Sequence, residues 1–178
     1  MSMVAVVSLF GVAHVILMPI FANDVLNVGI KGLGVLMSSA GLGALAGALI
    51  LARLGDFKYK GRFLLSSAMV FSISLIIFSL SKTYLLSILV LILIGLSSVT
   101  AVALVNTILQ VKVDDRFRGR VMSVFMFTVA GMMPFGNLIA GSLAQAAGVS
   151  FALFFAGVTC TVFFTAINII YPGIKDIN

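Results

Sequence analysis

The chain has 178 residues, 62% of them hydrophobic and 9% charged, with a formal net charge of +6. Soluble domains average about 25% charged residues. A mean hydropathy of +1.28 leaves too little polar surface to face water, so the bilayer is the solvent. The basic residues stand in short stretches between apolar runs, where they act as topology determinants and not as the footprint of nucleic acid.

A helix needs about 20 apolar residues to cross the hydrocarbon core. The sequence holds six such runs, at 3–22, 32–53, 63–81, 84–108, 121–147 and 150–171. They predict an all-α, polytopic membrane bundle of six transmembrane helices, one domain over residues 1–178. A membrane barrel competes poorly, because the runs are long and lack alternation of apolar and polar residues. The opening, M-S-M-V-A-V-V, has no basic n-region and no convincing cleavage site, so a signal peptide is not expected. The chain is expected to begin inside its first span, as a fragment would. One cysteine, Cys160, lies inside an apolar run and excludes a disulfide framework.

In the first span His14 lies near the middle. Pro19 deprives the carbonyl of Val15 of its helical donor and predicts a bend toward the outer end. The second span reads S-S-A-G-L-G-A-L-A-G-A, in which Gly43 and Gly47 form a small-xxx-small pair. In lipid such stripes let two backbones approach closely, because packing drives association there. The stretch Arg53–Arg62 follows as the first basic cluster. Near the end of the fourth span Asn106 and Gln110 stand four apart, with Thr100 and Thr107 on a broadly similar face. Then comes the most charged run of the chain, K-V-D-D-R-F-R-G-R-V (Lys112–Val121), read as a loop. The fifth span carries Gly131, Pro134, Gly136 and Gly141 as packing and bending elements, and Asn137 follows the proline.

Polar residues inside a membrane are costly and are functional candidates by default. His14, Asn106, Gln110 and Asn137 are therefore the candidates for a substrate pathway. The plain reading of His14 is a neutral imidazole bonded to a neighbouring helix; the functional one is a proton relay. For Asn106 and Gln110, interhelical hydrogen bonding competes with the lining of a cavity. No Asp or Glu lies within a predicted span. A single His without an intramembrane acid argues against a hydrolytic triad. One His and one Cys exclude a Cys/His metal cluster, and no phosphate-binding loop is present. An enzyme is not expected, nor a cofactor or metal.

Basic residues in alternate connections set orientation. Arg53, Lys58, Lys60 and Arg62, then Lys112, Arg116, Arg118 and Arg120, then Lys175, make nine on one side, against Lys31 and Lys82 on the other. The excess belongs in the cytoplasm, so both termini are expected there.

Three stretches carry a family resemblance: L-M-P-I-F-A-N-D-V-L (17–26) with K-G-L-G-V-L-M-S-S-A-G-L-G-A-L-A-G-A (31–48); L-A-R-L-G-D-F-K-Y-K-G-R (51–62); and D-D-R-F-R-G-R-V-M-S (114–123) with G-M-M-P-F-G-N-L-I-A-G (131–141). In this order they resemble the carboxy-terminal half of a major facilitator superfamily transporter, of the drug and siderophore exporter branch. The middle stretch is similar to a degraded form of the family's G-x-x-x-D-R-x-G-R-K motif, keeping Asp56, Gly61 and Arg62. The resemblance implies one half of a twelve-helix transporter working by alternating access. It implies proton-coupled efflux of a small molecule, with a matching amino-terminal six-helix half or a second copy as partner, in a bacterial or archaeal cytoplasmic membrane. His14 and Asn106 would face the cavity. Asp56, Arg62, Asp114, Asp115, Arg118 and Arg120 would form the gating contacts of the cytoplasmic loops. The competing reading is a non-transporting membrane module that packs against other membrane proteins.

Overall fold

The computed structural model describes residues 5–11, 13–55 and 59–170. Among the described residues every regular element is helical. A π-helical turn, Val7–Gly11, leads into α1 (Ala13–Asp24), followed by α2 (Gly29–Leu54), α3 (Lys60–Leu80), α4 (Tyr84–Lys112), α5 (Asp115–Ala147) and α6 (Val149–Ile170). Six segments are long and apolar enough to cross a membrane, and with this composition the chain is an integral membrane bundle of helices. In hydrocarbon every backbone N–H and C=O must be paired within the protein, which selects helices. Serine and threonine hydroxyls inside the spans turn back onto preceding carbonyls, as Ser39 does to Leu36 and Thr100 to Leu96, both at 2.7 Å.

At the basic end the helices run past the apolar stretches. α4 continues through Lys112 and α5 begins at Asp115, so only Val113 and Asp114 separate them. Arg116, Arg118 and Arg120, expected in a loop, lie in the first two turns of α5, and Arg62 lies in the first turn of α3. Hydropathy marks where hydrocarbon stops, whereas caps and main-chain pairing mark where a helix stops. Asp114 supplies such a cap: its carboxylate accepts from the Arg116 N–H at 3.4 Å and stands at the positive end of α5. In the first span, where Pro19 predicts a bend, the π-turn precedes α1, and α1 continues through Pro19 to Asp24.

Successive helices alternate in direction. Val7, Leu64 and Phe125, near the starts of the first, third and fifth spans, meet Val105 and Phe164, near the ends of the fourth and sixth. The opposite end gathers Ile20, Ala147 and Val149. There α5 passes to α6 through Gly148 alone, whose φ of +91° suits glycine. The tightest pair is α2 with α4. A Cβ on Gly43 would collide with the Ile92 carbonyl and one on Gly95 with the Ala40 carbonyl. A Cβ on Gly47 would meet the Leu96 carbonyl oxygen at 2.5 Å. The core lies toward the opposite end, where Phe21 of α1 and Phe78 of α3 bring their ring centroids to 4.6 Å among the buried Leu17, Leu36, Leu75, Leu91 and Leu153. α5 is the least covered helix.

Candidate functional site

The candidate residues of α4 lead to a cavity. Val102 and Val105 of α4, Phe125 and Val129 of α5, and Leu64 and Ala68 of α3 enclose about 120 Å³, with Val7 and Ser8 of the π-turn and Phe164 closing the sides. The wall is almost wholly carbon. Asn106 lies one turn beyond Val102 on α4, and Gln110 one turn beyond Asn106, so this stripe runs from the cavity to the basic end. Gln110 Nε2 donates to Asn106 Oδ1 at 2.8 Å. From α5, Arg118 Nη2 donates to the Gln110 carbonyl oxygen at 3.0 Å. The last carbonyls of a helix have no helical donor, so the guanidinium caps α4 and sets a positive charge at the negative end of its dipole. Asn106, Gln110 and Arg118 thus form an exposed polar cluster at the α4–α5 break, farther toward the basic end than the apolar chamber, and none of the three lines it.

The other candidates fall elsewhere. His14 is 8% exposed, inside the bundle and away from that break. Its ring stands edge-on to Phe71 of α3, with centroids 6.1 Å apart. Its Nδ1 donates to the carbonyl of Gly11, the last residue of the π-turn; a carbonyl only accepts, so in the neutral ring the proton sits on Nδ1. Asn137 lies two turns beyond Val129 on α5, and its buried Oδ1 has no hydrogen-bond partner. Next to it Gly136 touches the π-turn, where a Cβ would collide with the Leu9 carbonyl. At Gly131 a Cβ would meet only the Phe127 ring at 3.9 Å, and at Gly141 nothing within 4 Å. Pro19 and Pro134 lie on exposed faces of continuous helices. Of the predicted gating residues, Arg62 stacks over the Tyr59 ring at 5.0 Å, Asp114 caps α5, and Arg120 is exposed. Asp56 and the Asp115 side chain lie outside the described residues.

Sequence reasoning did not single out Val102, Val105, Phe125 and Val129 as a chamber, nor Gly95 as the counterpart of Gly43. The register of Val102 with Asn106 and Gln110 was available as a signal. The phase of α5 was not, because its start is charged and its partner helix cannot be read from one strip of sequence. Among the described residues no group of His, Cys, Asp and Glu is large enough to hold a metal ion.

Comparison with known proteins agrees with this architecture. No curated protein matches the chain. Residues 1–175 match the family model MFS_3, described as transmembrane secretion effector. With nearly its whole length matched and its helices of membrane-spanning length, the chain belongs to the MFS_3 family of transmembrane secretion effectors, transporters of the major facilitator type.

Proposed function

We propose that the chain exports small amphipathic molecules by alternating access, coupled to protons, as one six-helix half working with a matching amino-terminal half or a second copy. The apolar chamber is the observation that carries this reading: a hydrocarbon-lined hollow with a polar cluster farther along the same stripe of α4 suits a ligand with a hydrocarbon body and one polar end. Ligand pockets are usually about 300–1,000 Å³, so a chamber of about 120 Å³ would hold part of a substrate and the opposing half the rest. The family's description as a secretion effector supports the outward direction. His14 is the group we assign to proton coupling, since histidine is the side chain that ordinarily titrates near neutral pH and the chain has one. The excess of positive charge supports a cytoplasmic position for the basic end, where the bond from Arg118 to Gln110 would latch one state.

The test is reconstitution of the chain with a matching six-helix half in proteoliposomes, followed by efflux of a panel of apolar cations. Val105→Phe, which fills the chamber, should shift the substrate range toward smaller molecules. No flux with the matching half present, or a range unmoved by filling the chamber, would refute the proposal.

A further inference from the structure

The apolar chamber contains one polar side chain. Among the residues that enclose its roughly 120 Å³, only Ser8 can form a side-chain hydrogen bond; the rest are Val, Leu, Ala and Phe. Ser8 is 6% exposed. Other buried serines of the bundle turn their hydroxyls onto a carbonyl three or four residues earlier, as Ser67 does to Phe63, Ser72 to Met69 and Ser97 to Leu93. Ser8 stands instead in the π-turn, whose ladder pairs residues five apart. Among the described residues its hydroxyl has no hydrogen-bond partner.

A buried hydroxyl without a partner is a costly state, and water is a poor remedy here. A buried water needs two to four polar partners, and an apolar cavity of about 150 Å³ stays dry while it takes up benzene. This chamber offers a water one partner. What completes Ser8 therefore arrives with a ligand. A carbonyl oxygen accepts the Ser8 proton and brings no proton of its own. In a pair of Ser8 with an alcohol, one of the two protons is left without an acceptor. An ammonium or carboxylate group would be stripped of water against carbon walls.

We infer that Ser8 is a specificity determinant of the chamber, which seats a compact, uncharged hydrocarbon group bearing one carbonyl oxygen. Ser8 plays this part only if the chamber receives the apolar body of the exported molecule, as proposed above. Any charged end of that molecule then lies outside the carbon walls.

The test uses the full chain in detergent micelles and two ligands of one shape, cyclopentanone and methylenecyclopentane, which differ by an oxygen against a methylene group. Affinity is read from the rise of the unfolding midpoint with ligand concentration, followed by far-UV circular dichroism. Val105→Phe, which fills the chamber, is the blank. Comparing the ketone-to-alkene affinity ratio between proteins cancels the unequal partition of the two ligands into the micelle. Ser8→Ala should lower that ratio about fivefold, the worth of one neutral hydrogen bond. Ser8→Cys, which keeps the volume and offers a weaker donor, should lower it by less. Ser67→Ala removes a buried hydroxyl that is already bonded and lies outside the chamber, and should leave the ratio intact. A ratio unmoved by both Ser8 variants, or moved as far by Ser67→Ala, would overturn the role of Ser8 while the chamber stands. No stabilisation by either ligand beyond the Val105→Phe blank would remove the chamber as a ligand site, and the role of Ser8 with it.

Discussion

Gly43→Ala is expected to force α2 away from α4. The new methyl group would fall well inside the van der Waals radius of the Ile92 carbonyl oxygen. That oxygen belongs to the helix backbone and cannot rotate aside, so truncating the neighbouring side chain with Ile92→Ala should give no rescue. The neighbouring contact sets the scale: at Gly47 an added Cβ would stand 2.5 Å from the Leu96 carbonyl oxygen, whereas ordinary contact begins at 3.4 Å. Restoring ordinary contact opens the pair by roughly 1 Å, a gap that forfeits a quarter to a half of the dispersion attraction across it. We expect a loss of about 1–3 kcal/mol, the range for overpacked sites. Gly41→Ala is the internal control. It lies on the same helix with nothing within 4 Å of its added Cβ, and should change stability by no more than about 0.5 kcal/mol, the range for surface sites. The chain has no Trp, so unfolding in mixed detergent and dodecyl sulfate micelles is best followed by far-UV circular dichroism. Equal unfolding midpoints for the Gly43→Ala and Gly41→Ala proteins would refute the backbone-contact argument.

Arg118→Gln should loosen the end of α4: the amide of Val113, bonded to the Leu109 carbonyl at 3.1 Å, should exchange about two- to fivefold faster, the equivalent of ~0.3–1 kcal/mol from a lost helix-end charge. Gly136→Ala should destabilise more than Gly141→Ala in the same unfolding assay, because the first Cβ strikes the Leu9 carbonyl and the second meets open space. In a working assembly His14→Gln should flatten the response of flux between about pH 6 and 8, where histidine ordinarily titrates; an unaltered profile would remove His14 from coupling. A reporter fused after Asn178 should behave as cytoplasmic, and accessibility from outside would reverse the proposed orientation.

The helical class and the membrane spans were legible in the sequence because hydrophobic length is a one-dimensional signal. The spacing of Asn106 and Gln110 likewise placed them on one helix face. It could not reveal that Gln110 donates to Asn106, because that depends on side-chain rotamers and not on spacing. Nor could it reveal that Arg118, across a break in the helix, would reach the Gln110 carbonyl. His14 was plainly mid-span, yet its burial against Phe71 depends on which way α1 faces α3. The small residues around Gly43 announced close packing without naming a partner, and Gly95, which completes the contact, stands alone among large residues. The basic run Lys112–Val121 read as a loop because charge and loop usually coincide. Here Asp114 caps a helix that simply continues out of the membrane.

The brevity of two connections gives α5 an unusual mechanical standing. Two residues tie it to α4 at the basic end, and Gly148 ties it to α6 at the other. A stretch of n residues spans at most about 3.6 Å per residue, so neither end can drift from its neighbour. Fastened like a strap at both buckles yet least covered along its length, α5 keeps two freedoms: to turn about its own axis and to bow at its middle. Bowing is easiest near Pro134, which leaves the carbonyl of Ala130 without its helical donor. Either motion changes which side chains α5 presents to the chamber while its ends stay fixed at the two membrane surfaces.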